Sequence, residues 1–407
     1  MLKRFVPSVI VCLSMTAALA AGAVRADEDA ALVHARELLH EAILFDGHND
    51  LPWAVREDTA HPGDVAAYDL RGRVPGQTDL ARLKQGGVGA QFWSVYTPGN
   101  APSGHARMQL EQIDIARRII ARYPEALRFA TTAAEVRAAH RAGRIASLLG
   151  AEGGHAIENS LGALRAYYDL GVRYMTLTHN AHTDWADSAA LPPVHGGLTP
   201  FGEQVVLEMN RLGMLVDLSH VSEGTMDDAL RVSKAPVIFS HSSARALCDV
   251  PRNVPDSILR RVTRNGGVVM VTFVAGFINP AVAAVQRAAS GEVDRRIRGK
   301  SSEEAAKITD EVFGALTLPP TSIGLVADHI EHIRKIAGVE HVGLGGDFDG
   351  NSRWPEGLSD VSMYPNLFAE LIRRGWSDRD LKLLAGENVL RALERAEEVA
   401  RTLSAGS

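Results

Sequence analysis

Short apolar runs alternate with amphipathic stretches along almost the whole chain. Runs rich in Val, Ile, Leu, Phe and Met predict strands over Ala42–Asp46, Val88–Val95, Ile145–Gly150, Tyr174–Thr178, Met214–Leu218, Val237–Ser240, Gly267–Phe273 and His341–Gly345. Several are apolar at consecutive positions, as strands covered on both faces must be. Between them apolar residues recur at helical spacing over 107–123, 133–142, 161–170, 202–212, 223–232 and 256–264. Eight strands separated by helices predict an α/β fold, a (β/α)8 barrel of TIM type. An open doubly wound sheet would need a glycine-rich phosphate turn or another switch-point site, and the sequence offers neither.

One stretch breaks the rhythm. Residues 281–321 are Ala-rich and charged, with Arg295, Arg296, Arg298, Lys300, Glu303 and Glu304 close together. This predicts a helical insertion between the seventh and eighth strands, on the side where the strands end. A lid, an oligomer contact and a solvated excursion all fit it. Residues 322–337 then read as the regular helix before the last strand, with Ser322 at its N-cap.

The 407 residues would ordinarily suggest two or three domains, but a barrel reaches this size as one. The expected organisation is a leader over 1–26 and a single barrel domain over 27–407. The leader reading rests on Lys3 and Arg4, the apolar run 5–21, and small residues around Val24-Arg25-Ala26. That run is shorter than the roughly 20 apolar residues a membrane span needs. The expectation is therefore an exported protein, periplasmic or secreted, with no stable membrane anchor. Removing the leader takes Cys12 with it and leaves Cys248, so no internal disulfide is expected. The net charge of −6 and the absence of a basic stripe give no footing for nucleic acid as a partner.

The chemistry-bearing residues gather where the apolar runs end. His48 and Asp50 are two apart after the first run, so extended backbone would project both to one side. Glu152 follows the third run among Gly150, Gly153 and Gly154, which permit close backbone approach. A carboxylate there could bridge two cations or cap a helix. His220 and His241 end successive runs, a pattern that favours metal ligation over two separate core histidines. His179 ends its run in the same way, as a ligand or a substrate contact. Asp347 closes the eighth run, where a carboxylate could move a proton between water and a leaving amine. Asp349 fits a turn cap better. None of the seven lysines ends a predicted strand, which argues against a carboxylated-lysine bridge and leaves Glu152 as the bridging candidate. A barrel mouth that collects these residues has the make-up of a two-metal hydrolase site.

These stretches also carry a family resemblance. Asp46-Gly47-His48-Asn49-Asp50-Leu51-Pro52, Glu152-Gly153-Gly154-His155, Leu177-Thr178-His179, Phe239-Ser240-His241-Ser242-Ser243, Arg252-Asn253-Val254-Pro255-Asp256 and Gly345-Gly346-Asp347-Phe348-Asp349-Gly350 resemble the membrane (renal) dipeptidases, zinc peptidases built on an amidohydrolase-like barrel. The resemblance runs from about Ala42 to Arg395. It implies two Zn2+, one held by His48 and Asp50, the other by His220 and His241, with Glu152 shared. It implies that His179 meets the scissile carbonyl, that Arg252 pairs with the substrate carboxylate, and that Asp347 is the acid/base and meets the amino group. The substrates would be dipeptides with free termini, with D- as well as L-residues at the carboxyl end, and a homodimer is a further suggestion. Animal relatives carry disulfides, a lipid anchor and a tyrosine where this chain has Phe277. The residues alone leave two other functions open: a non-catalytic exported binding protein on the same scaffold, and a zinc amidase for N-acyl-amino acids.

Overall fold

The computed structural model describes residues 29–100, 103–300 and 302–405. The expected leader over 1–26 lies outside the described residues. Nine parallel strands form one sheet: β1 (Leu44–Asn49), β2 (Val88–Tyr96), β3 (Leu127–Phe129), β4 (Ile145–Glu152), β5 (Val172–Thr176), β6 (Leu215–Asp217), β7 (Val237–Phe239), β8 (Val268–Val271) and β9 (Val342–Leu344). Eight of them close the expected (β/α)8 barrel. β1 pairs with β9 on one side and β2 on the other, and β2 pairs with β4 from Ala90↔Ala146 to Tyr96↔Glu152.

β3 was not expected from the sequence. It pairs with the first three residues of β4, on the edge that β5 takes over from Leu149 onward. It therefore lies beside the barrel wall. Its Leu-Arg-Phe sequence is too short to show alternation.

Several expected boundaries move. β1 runs to Asn49, which puts His48 inside the strand. Asp50 is not extended: it has φ −94° and ψ 22° and stands at the N-cap of the helix Leu51–Arg56. β5 starts two residues earlier than expected, at Val172. Ser322 does stand at the N-cap of the helix Ile323–Ala337, but its side chain makes no capping bond. The expected insertion is two helices, Pro280–Arg296 and Ser302–Gly314. Ala289, Val293 and Val312 form a small apolar cluster between them, joined by Ile297, Ile308, Phe313 and Leu316.

The bore of the barrel is filled rather than open. Phe45 stacks on Phe92 with ring centroids 5.1 Å apart, and Tyr174 meets Phe92 edge to face at 4.8 Å. Ala90, Ala146, Leu148, Ile238, Val268 and Met270 belong to the same buried cluster. Val389, Leu390, Leu393, Ala396 and Val399 of the helix Asn388–Ala405 join it from below. Asn388 donates to the carbonyls of Val339 and Val342, so this helix stoppers the end where the strands begin.

Strand ends approach one another closely enough to demand glycine at one point. A Cβ on Gly345 would sit 1.8 Å from the backbone oxygen of Ser240. Gly345→Ala is expected to lower stability by about 3 kcal/mol through this backbone overlap. Gly314→Ala meets nothing within 4 Å and should stay within about 0.5 kcal/mol of wild type. Urea midpoints of the two variants check this, and equal losses at both positions would rule out crowding as the cause.

Candidate metal centre at the barrel mouth

Every sequence-predicted ligand lies at the end where the parallel strands finish. His48 is in β1 and Asp50 just after it; Glu152 is the last residue of β4. His179, His220, His241 and Asp347 follow β5, β6, β7 and β9 by two or three residues. His220 and Asp347 take left-handed backbone, with φ 68° and 62°. Non-glycine residues seldom adopt it, and they do so at sites where the surroundings hold them. Ser222 caps the next helix by accepting the N–H of Thr225, so the chain must turn sharply at His220.

Glu152 stands at the middle, and its two oxygens face different partners. Oε2 is 3.5 Å from His48 Nε2. Oε1 is 3.1 Å from His220 Nε2, 3.5 Å from His241 Nε2 and 3.9 Å from His179 Nε2. His48 Nε2 also lies 3.2 Å from Asp50 and 4.0 Å from Asp347. Three sets of donors come within 4.8 Å of one another: His48, Glu152 and His241; Glu152, His179 and His220; and His48, Asp50 and Asp347. These sets cut across the expected split into His48/Asp50 and His220/His241, and they include His179 on equal terms. The residues are brought together as expected; their division between two cations is not written in these distances.

The electrostatics favour positive charge at the centre. Burial pushes Glu152 up, but the surrounding imidazoles, His48 first, outweigh it and hold the carboxyl well below its ordinary range. Burial likewise works against a proton on His48, yet Tyr174, Glu152 and Asp50 overcome it and raise that imidazole. Burial and then the nearby charge of Asp50 push Asp347 well above the carboxylate range. His220 and His241 are held well below the usual imidazole range, by burial and then by Arg252 and His48 respectively. Carboxylates that favour a proton on His48 equally favour a metal cation beside it. Among the described residues His48 Nε2 is buried with no partner in hydrogen-bond geometry, its nearest being the Asp50 carboxylate at 3.2 Å. Imidazole nitrogens and carboxylate oxygens in this number suit zinc or a similar divalent ion.

A second layer, absent from the sequence reading, holds the first. Tyr174 Oη lies 2.8 Å from His48 Nδ1. Gly150 makes room for it, since a Cβ there would fall 2.0 Å from the Tyr174 ring. Asp46, pushed up to about 6 by burial, accepts from the N–H of Gly346 at 2.8 Å and from Gln91 at 3.0 Å, tying β1 to the segment that carries Asp347. Asp217 accepts four hydrogen bonds beneath His241. A polar residue inside a strand was the available signal for Tyr174 and Asp217. Asp349, expected as a turn cap, exchanges bonds with Gln77: its Oδ1 accepts the Gln77 N–H at 2.7 Å, and its own N–H donates to Gln77 Oε1 at 2.9 Å.

A cavity of about 310 Å³ opens above the cluster. Trp53 and Tyr96 form an edge-to-face pair on one wall, with centroids 4.8 Å apart. Arg252 and Phe277 stand on another, the guanidinium carbon 5.1 Å from the ring centre. Arg252 is buried, with its Nε unbonded among the described residues, its Nη1 donating to Ser242 Oγ at 3.3 Å and its Nη2 to the His241 carbonyl at 3.4 Å. Burial lowers it to about 10.

Known proteins share this architecture. The chain is 42% identical over 368 residues to Dipeptidase 3 of Mus musculus, a match that takes in 89% of this chain. It spans 66% of the length of that relative. The crystal structure of a probable dipeptidase from Pseudomonas aeruginosa superposes with a TM-score of 0.80 at 25% identity, over 91% of this chain and 99% of that one. A metallo peptidase from Rhodobacter sphaeroides, liganded with a phosphinate mimic of the dipeptide L-Ala-D-Ala, superposes with a TM-score of 0.71 at 27% identity, over 87% and 99%. The family model described as membrane dipeptidase (peptidase family M19) matches residues 32–407, and the chain belongs to that family.

Proposed function

We propose that this protein is a zinc-dependent dipeptidase that hydrolyses the amide bond of dipeptides with both termini free. The observation that carries the reading is the two-sided Glu152, whose oxygens face separate donor groups beneath a cavity walled by a buried guanidinium. His48 and Asp50 would hold one zinc ion, His220 and His241 the other, and Glu152 both. Zinc supplies, when bound, a Lewis acid and a water acidified toward a pKa of about 7.

The chain's own groups do the rest. Arg252 offers a planar fork that matches the substrate carboxylate and fixes the end of the dipeptide. The cavity of about 310 Å³ is at the small end for ligand sites, which suits a dipeptide. His179, on the rim of the cluster 3.9 Å from Glu152, would donate to the carbonyl oxygen as negative charge builds there. Asp347 takes the proton released when water adds to the carbonyl carbon and delivers it to the amide nitrogen as the C–N bond breaks. The L-Ala-D-Ala mimic bound by the Rhodobacter relative supports acceptance of a D-residue at the carboxyl end. The leader pattern over 1–26 adds export to this reading.

A panel of L-Ala-L-Ala, L-Ala-D-Ala and Gly-D-Ala, with N-acetylated controls, tests the activity on zinc-loaded protein. Cleavage confined to the acylated compounds would point to an amidase, and no cleavage with zinc bound would sink the catalytic reading. Glu152→Gln is expected to retain less than the wild-type zinc content and to lose activity; full metal content by elemental analysis would refute the shared carboxylate. Asp347→Asn should keep its zinc and lose roughly a hundredfold to ten-thousandfold in kcat. Loss of metal from that variant would reassign Asp347 as a ligand. Arg252→Lys should lower kcat/KM roughly tenfold to a hundredfold, chiefly through KM, as one charge-assisted fork is lost. An unchanged KM would remove Arg252 from the substrate.

A further inference from the structure

Asp217 ends β6 beneath the imidazole cluster and is fully buried. Its two oxygens are used differently. Oδ1 accepts the backbone N–H groups of Ser219 at 3.0 Å and Ser240 at 2.8 Å. Oδ2 accepts the hydroxyls of Thr176 at 2.7 Å and Ser240 at 2.6 Å. A carboxylate has acceptors only, so the single hydroxyl hydrogen of Ser240 is committed to Asp217. The Ser240 oxygen lies 2.8 Å from His241 Nδ1 and is left to accept from it. Nδ1 therefore carries the proton of the neutral ring, and Nε2 carries the lone pair. Nε2 is the atom that faces the cluster, 2.9 Å from His220 Nε2 and 3.5 Å from Glu152. His220 lacks such a device: its Nδ1 is buried with no hydrogen-bond partner among the described residues.

We infer that Asp217 is a positioning residue which, acting through Ser240, locks His241 in the one neutral tautomer able to ligate a cation at the barrel mouth. This rests on the reading of His241 as a metal ligand. The polarity of the relay makes it testable with an isosteric change. In Asp217→Asn the two backbone N–H groups at the Oδ1 position remain donors, so the amide must keep its oxygen there. Its NH2 then occupies the Oδ2 position and donates to Thr176 and Ser240. The Ser240 hydroxyl hydrogen swings to His241 Nδ1, and the ring proton moves to Nε2, where it blocks ligation.

Two measurements read this directly. In metal-free protein labelled with 15N at histidine, wild type should show His241 protonated at Nδ1, and Asp217→Asn should show it protonated at Nε2. In competition with a chelator, the Zn2+ affinity of Asp217→Asn should fall roughly tenfold to a hundredfold, as loss of an outer partner of a metal-binding histidine does. Ser240→Ala, which cuts the relay without reversing it, should lose less. Adding Ser240→Ala to Asp217→Asn should restore affinity to the Ser240→Ala level, a rescue that a merely structural role for Asp217 would not give. An unchanged histidine pattern in Asp217→Asn, or a double variant that binds zinc no better than Asp217→Asn, overturns the inference. If Asp217→Asn does not fold, Ser240→Ala alone decides: His241 must become a mixture of tautomers, and a single Nδ1-protonated form sinks the relay. Wild type with the expected pattern but no zinc binding would instead refute the metal centre, and with it the purpose given to the relay.

Discussion

The pairing of β2 with β4 is the contact on which the rest of this molecule depends. It runs without a register shift from Ala90↔Ala146 to Tyr96↔Glu152 and joins the two free edges of the sheet. Because the last pair is Tyr96 with Glu152, closing the sheet delivers the central carboxylate to the mouth. The other strands then arrange themselves around it in a ring. Parallel strands share one direction, so their ends share one face, and that is why residues far apart in the chain meet here. Were the sheet open, His48 and His220 would have no reason to flank one glutamate.

That meeting is electrostatically awkward. Asp50 and Glu152 are almost wholly buried, Asp347 stands beside them, and His220 and His241 are held neutral. Buried carboxylates without compensation are costly. The protein answers in two visible ways: His48 is driven toward its protonated form and Asp347 toward its neutral one. Neighbouring acidic groups contribute to both shifts; burial is the larger cause at Asp347 and opposes the shift at His48. The left-handed backbone at His220 and Asp347 belongs with this. At these two donors the chain holds a backbone conformation that non-glycine residues seldom adopt.

The first layer of the site was legible because it sits at the ends of apolar runs. A short run of branched residues marks a buried strand, and the residue type at its end is visible whatever the exact boundary. His48 and Glu152 therefore stand out even though β1 ends three residues later than the run suggests. The second layer was hidden for a geometric reason. Tyr174 and Asp217 lie within strands, where a shift of one residue reverses the side chain between bore and exterior. Asp217 matters through Ser240 and Thr176, which come from two other strand ends, and no local pattern joins them. The turn at His220 is likewise invisible, since nothing about histidine announces positive φ. β3 escaped because three residues carry no period, and it exists by virtue of the β4 edge it covers.

The missing side chain at Gly150 has an effect that reaches past the one histidine it serves. It lets the Tyr174 ring reach across the interior and set its edge against Phe92, which stacks on Phe45, directly below the donors. Helix Asn388–Ala405 seals the far side. Among the described residues the bore beneath the donors is filled by these side chains. The cavity of about 310 Å³ is therefore backed by packed rings and opens away from the stoppered end of the barrel.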